Sequence, residues 1–177
     1  MRRPLSLGHS NFLELPVISH IRRNHALEHA TLHTLSGHLP NTMLMGHSDI
    51  GGFWIIGDVP PEVLHTAVLE AIARLRAGER QLAIHPNCGT NYVTAGALAG
   101  LAGASVMLGS GKRVQDKLAR LPFAAALATI ALIISQPLGL LLQARVTTSG
   151  DPGSLEVTAI SHKKQGRMTV HRVQTRG

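Results

Sequence analysis

From Leu121 to Gln143 the chain runs for about 23 residues without a charged side chain, in a stretch rich in Leu, Ile and Ala. Inside hydrocarbon every backbone N–H and C=O must find its partner within the protein, and a lone segment does that only as a helix. At about 1.5 Å per residue, such a helix matches the roughly 30 Å core of a bilayer. A second charge-free stretch, residues 92–109, is dominated by Ala and Gly. Its Gly96-Ala97-Leu98-Ala99-Gly100 gives it a small-residue face on which another helix packs closely. Between the two, residues 110–120 carry Lys112, Arg113, Lys117 and Arg120 against Asp116. The expectation is two transmembrane helices joined by a basic loop, a hairpin that leaves both soluble parts on one side. Pro137 is expected to kink the second helix or to mark its interfacial end.

Charge and composition narrow the partners. The formal net charge is +7, yet residues 1–90 hold seven arginines against seven acids. The excess therefore lies in the 110–120 loop and in the tail, with Arg145, Lys163, Lys164, Arg167, Arg172 and Arg176. Basic charge that flanks apolar segments points to anionic lipid. Aromatic residues are only 3%, too few to stack bases, so no nucleic-acid partner is expected. The single cysteine, Cys88, excludes an internal disulfide. The start, Met1-Arg2-Arg3-Pro4, lacks the apolar core of a signal peptide. The positive-inside rule would put the 112–120 loop in the cytoplasm. The basic tail and the missing leader favour cytoplasmic soluble parts, which is the orientation expected here, in a bacterial inner membrane crossed more than once.

The chemistry gathers in the first half, which holds nine of the 11 histidines. Residues 1–16, with Pro4, Gly8 and Pro16, read as an irregular arm. A helix is expected from Val17 to about Ser36, with Gly37 as its C-cap. It contains Arg23-Asn24-His25-Ala26-Leu27-Glu28-His29-Ala30-Thr31. Residues four apart share a helix face, so His25 and His29 can aim their rings into one volume with Glu28 beside them. The bland alternative is a face of solvated or carbonyl-bonded histidines.

Beyond this helix, Met43-Leu44-Met45 and Phe53-Trp54-Ile55-Ile56 read as a β-hairpin with a long polar connection, 46–52. His47 and Asp49 in that connection are either further ligand candidates or ordinary turn residues. An amphipathic helix is expected to start near Asp58 and run to about Ala77, stopping at Gly78. Gln81-Leu82-Ala83-Ile84 reads as a short strand leading into His85-Pro86-Asn87-Cys88-Gly89-Thr90-Asn91, a tight loop. His85 and Cys88, three apart around a turn, have the spacing of a two-ligand metal loop, and zinc favours both donors. Cys88 is equally at home as a small buried apolar residue. After Thr148–Gly153, residues 155–160 and 168–173 alternate as a basic β-hairpin around Lys163-Lys164-Gln165-Gly166, suited to fixing the soluble part to the membrane surface.

Through residues 23–31 and 85–91 the chain resembles an uncharacterised family of small bacterial membrane proteins, over about residues 20–145. His25-Ala-Leu-Glu-His29 also resembles, over five residues, the His-x-x-Glu-His signature of the inverzincin metallopeptidases. That resemblance implies His25 and His29 as zinc ligands and Glu28 as the base that activates water. Those enzymes add an acidic ligand from a second helix, for which Glu70 stands nearest by position and His85 is better suited by chemistry.

The sequence thus leads to an α+β, membrane-anchored chain. Its parts are an arm (1–16), a His-rich helix/β-hairpin/helix domain (17–91), two spans (92–143) and a β-hairpin tail (144–177). The expected site is Glu28 with His25, His29, His85 and Cys88 around zinc. The expected activity is metal-dependent, peptidase-like hydrolysis, and the alternative is a non-catalytic membrane assembly or scaffold protein with a structural metal site or with no metal. Expected partners are membrane lipid and another membrane protein or a second copy, through Gly96 and Gly100.

Overall fold

The computed structural model describes residues 12–166 and 168–177. The expectation of an irregular arm falls largely on residues 1–11, which lie outside the described residues, as does Arg167. The chain forms two compact units. One gathers the segments up to Ala83 and from Thr148 onward, and the other is Ile84–Thr147.

The first unit holds α1 (Pro16–His38), β1 (Met45–Asp49), β2 (Gly52–Gly57), α2 (Pro61–Arg76), β3 (Glu156–Gln165) and β4 (Met168–Arg176). Its four strands form one antiparallel sheet in the order β1-β2-β4-β3. Proline at the first position starts both helices, where a missing N–H costs nothing. In α2, Leu64, Ala67, Val68, Ala71, Ile72 and Leu75 are buried, the three- and four-residue steps of one helix face. They share a core with Leu27 and Leu35 of α1, Phe53 and Ile55 of β2, and Val173 of β4.

Three expectations for this unit need correction and a fourth is extended. Gly37 lies inside α1, which runs on to His38. The connection expected at 46–52 is mostly strand, and β1 and β2 meet in a two-residue turn, Ile50-Gly51, closed by the Asp49↔Gly52 pair. The strand expected at 81–84 is instead a 3₁₀ turn, Arg80–Ala83, held by the Leu82 N–H bond to Glu79 O. The tail hairpin is present, but β4 also pairs along the whole of β2, so the tail completes the sheet begun by β1 and β2. Gly52 sits at that junction with φ +133°, and a Cβ there would run into the carbonyl of Val173.

The second unit is a helical hairpin of α3 (Gly89–Met107) and α4 (Val114–Leu142), followed by a π-helical turn, Gln143–Thr147. Gly103 lets the helices approach closely, with Ala124 O 3.8 Å and the Ala128 Cβ 3.9 Å from where its own Cβ would stand. Arg120 donates to the carbonyls of Val106, Leu108 and Gly109, covering the orphan acceptors at the end of α3. The basic loop is shorter than expected because helix begins at Val114. Residues 114–120 are good helix formers, and Asp116 sits in the first turn where the helix dipole favours an acid. Pro122 and Pro137 both lie inside α4.

Of the two expected spans, one meets the length and hydropathy of a membrane crossing. Among the described residues one helix, Val114–Thr147, is long and apolar enough to cross a membrane. The shortfall in α3 comes from its composition: Thr90, Asn91 and Tyr92 fill its first turn, and much of the rest is Ala and Gly.

Candidate metal centre

The middle of α1 is buried from Ala26 to Leu32. Burial splits the Arg23–Thr31 segment into two sets of polar groups. Asn24, fully buried, donates through Nδ2 to Asp49 O (2.9 Å) and accepts from Thr175 Oγ1 (2.6 Å), which ties α1 to the β1–β2 turn and to β4. The Arg23 guanidinium packs under Gly153. Thr31 bonds back to Leu27 O at 2.8 Å. These residues hold the helix in place.

His25, Glu28 and His29 form the second set. His29 is 1% exposed, and its Nδ1 lies 2.7 Å from Ala83 O. A carbonyl accepts, so Nδ1 carries the proton and Nε2 the lone pair. That is the tautomer which an outer hydrogen bond enforces on a metal-binding histidine. The His25 ring stands edge-on to it, with centroids 4.4 Å apart at 62°. One ring nitrogen from each lies within 4.8 Å of the other, so a cation between them could take both.

Glu28 is 4% exposed, and its carboxylate rests against Gly46 of β1, in the space a Cβ would fill. A glycine inside a strand often marks such a close approach. Gly46 is thus the signal in the sequence that places Glu28.

In the second unit, the 85–91 loop is fixed by a group the sequence reading did not single out. Gln143, the one polar residue at the end of the apolar run, is fully buried. Its Oε1 accepts from the His85 N–H (2.9 Å) and its Nε2 donates to Asn91 Oδ1 (2.6 Å). Asn91 in turn donates to Pro86 O (2.6 Å) and packs on Gly139 of α4. Cys88 is buried at the N-cap of α3, where Sγ accepts from Thr90 N–H at 3.4 Å. The His85 Nδ1 accepts from Asn87 N–H (3.2 Å), which puts the lone pair on Nδ1 and the proton on Nε2. To ligate through Nε2, His85 would have to exchange that tautomer, a demand His29 does not face.

The remaining candidates are engaged elsewhere. His47 is exposed in β1 opposite Trp54. Asp49 takes both guanidinium nitrogens of Arg172 at 2.7 and 2.8 Å, and Arg172 lies 4.7 Å over the Trp54 ring. The Arg172 hydrogen bonds, helped by the Gly51 N–H, hold the Asp49 carboxyl below its ordinary pKa against the opposing effect of burial. Glu70 pairs with His38 (3.4 Å) and Arg74 (3.6 Å) on the surface of α2.

Residues 20–160 match the family described as "Domain of unknown function (DUF6391)". The chain belongs to this family. The matched span runs from the first turns of α1 into β3 and so takes in both segments discussed above. An uncharacterised protein of Picosynechococcus sp. (strain ATCC 27264 / PCC 7002 / PR-6) is 40% identical over 139 residues. That alignment covers 73% of this DUF6391 chain and 66% of the relative. No solved structure matches.

Proposed function

We propose that this DUF6391 protein is a membrane-anchored zinc protein whose site is built on His25 and His29, with Glu28 as the base of a hydrolytic reaction. The observation that carries this reading is the bond from His29 Nδ1 to Ala83 O, with a ring nitrogen of His25 within 4.8 Å. Cys88 is the proposed third ligand. It follows Ala83 by five residues, and thiolate with imidazole is a donor set zinc prefers. His85 completes the set only by exchanging its tautomer. A metal held by these residues would supply an acidified water, and the Glu28 carboxylate would be the group to take its proton.

The protein purified without added metal should carry one zinc per chain, and His25→Ala should lose it. Glu28→Gln should keep the zinc and lose hydrolysis of the peptide or ester on which the wild type is found to act. Turnover that survives in Glu28→Gln ends the mechanism.

A second reading has its own support. The Glu28 carboxylate is 4% exposed and packed on Gly46, which suits a closed structural metal site in an assembly protein. In that case chelation lowers the melting temperature and no hydrolysis is found.

The sheet supports a hairpin form of the anchor. Gly57 and Thr169 are paired in one ladder and so lie on one side of any membrane. A crossing by α4 therefore requires a return crossing, and α3 is the segment available for it. At 19 residues and about 1.5 Å each, α3 comes close to the roughly 30 Å needed. We propose the bacterial inner membrane with the sheet-bearing unit in the cytoplasm, supported by the basic tail. The Gly96 and Gly100 face, with no atom within 4 Å of either absent Cβ, is the proposed contact for a second copy.

A further inference from the structure

The sheet has two faces, and α1 and α2 share a core with only one of them. Phe53, Ile55, His171 and Val173 point into that core. The alternate residues turn outward, and cross-strand pairing lines them up. One row runs Met45–Ile56–Val170–Lys163 from β1 to β3, and the next runs His47–Trp54–Arg172–Ser161. Met45 is 51% exposed, and Met168, beyond Val170 on β4, is 43% exposed. Lys163 and Lys164 lie at the same end of the sheet, close to the β3–β4 turn.

Within the strands the charge on this face is one-sided, and the exposed Asp58 lies just beyond the end of β2. Asp49 is neutralised by Arg172, and Glu156 by Arg176 at 3.0 Å. Among the described residues no carboxylate pairs with either lysine. An apolar row bordered by unpaired cations, next to a tryptophan, is the pattern that binds the headgroup level of a bilayer. A second copy would instead bring its own lysines against these, like charge on like.

We propose that this end of the outer sheet face, Met45, Ile56, Val170 and Met168 with Lys163, docks on an anionic lipid surface, with Lys164 at the rim of the same strand end. The proposal rests on the membrane-anchor reading above, and an anchored domain meets that surface at high local concentration. Methionine suits the role, since its flexible thioether adapts to an irregular surface. The lysines supply attraction to anionic headgroups, and salt screens it.

The test uses the full chain reconstituted into liposomes of phosphatidylcholine alone or with roughly one-third phosphatidylglycerol. Peroxide oxidation of Met45 and Met168 is followed by mass spectrometry, with fluorescence of the only tryptophan, Trp54, as a second readout. With anionic lipid, oxidation should slow at least about fivefold, and Lys163→Glu/Lys164→Glu or 1 M salt (a Debye length of roughly 3 Å) should restore it. Equal rates in both lipids overturn the proposal while the anchor stands, provided the protein floats with both kinds of vesicle. Failure to float with either overturns the anchor reading and this inference with it. Protection in detergent that grows with protein concentration assigns the face to a second copy and also overturns it. The salt arm needs no variant and so does not depend on the double substitution folding.

Discussion

His29 and His171 are both buried, and each gives one ring nitrogen to a backbone carbonyl. His29 Nδ1 is 2.7 Å from Ala83 O, and His171 Nε2 is 3.0 Å from Val59 O. The second nitrogen separates them. For His29 the neighbourhood supplies a ring nitrogen of His25 within 4.8 Å, a second donor for the same cation. For His171 the facing ring is His162, directly across the β3–β4 ladder with centroids 5.9 Å apart, and Nδ1 is buried with no hydrogen-bond partner. A sealed lone pair admits no ion. Burial and a carbonyl bond therefore do not mark a metal ligand; the surroundings of the other nitrogen do.

The largest expected effect tests this contrast directly. His29→Ala and His171→Ala should each cost about 2–4 kcal/mol of unfolding free energy, because each leaves a cavity and an unpaired buried carbonyl. Only His29→Ala should abolish bound zinc. Denaturation in detergent and elemental analysis of the same preparations separate the two outcomes, and zinc lost from His171→Ala breaks the comparison.

Next in size is Gly46→Ala, which puts a methyl group where the Glu28 carboxylate lies and should cost about 1–3 kcal/mol. Gly37→Ala is its control. Gly37 is exposed within α1 with nothing within 4 Å, so a methyl there should stabilise by roughly 0.5–1 kcal/mol. Opposite signs in thermal unfolding would show that Glu28 is held by packing on β1. Asp49→Asn should cost less, about 1 kcal/mol, because the carboxylate side chain is 38% exposed although Arg172 grips it in two places.

What the sequence made legible was local. The apolar steps of α2 and the four-residue spacing of His25 and His29 can be read from neighbours along the chain. So can the helical nature of 121–142, which continues through Pro137, where a kink or the interfacial end is expected. The hairpin strand β1 is not legible because Gly46-His47-Ser48-Asp49 shows no apolar alternation. Gly46 and Ser48 face inward, and the outward Asp49 is held by Arg172, 123 residues away. The partners that give His29 its tautomer and the 85–91 loop its shape are also distant in sequence. Ala83 O is 54 residues from His29, and Gln143 is 58 from His85. No periodicity encodes such pairs, since they exist only once the elements have packed. The second crossing by α3 was inferred from the absence of charge, and absence of charge is a weaker quantity than hydropathy in a helix of Ala and Gly.

The smallest expected effect is a slope with pH. Burial pushes the His171 pKa below its ordinary value; the bond to Val59 O opposes that shift, and the nearby His162 adds to it. As pH falls through the ordinary histidine range, near 6.5, the unfolded chain binds a proton that the folded ring refuses. Stability should therefore decline from there down to the lower pKa of the folded ring, and change no further on this account below it. Asp49 contributes in a separate, more acidic window. Its carboxyl is depressed by Arg172, so its share is present above the ordinary carboxylate range and lost only as pH falls through the depressed value. His171→Gln keeps a donor for the Val59 carbonyl but cannot titrate, and it should flatten the first limb while leaving the second. Urea unfolding at a series of pH values, in detergent with metal removed, measures both limbs. A first limb that persists in His171→Gln would move the titration to another histidine. It would also remove the premise that His171 is held neutral by its sealed nitrogen, leaving His29 with nothing to be contrasted against.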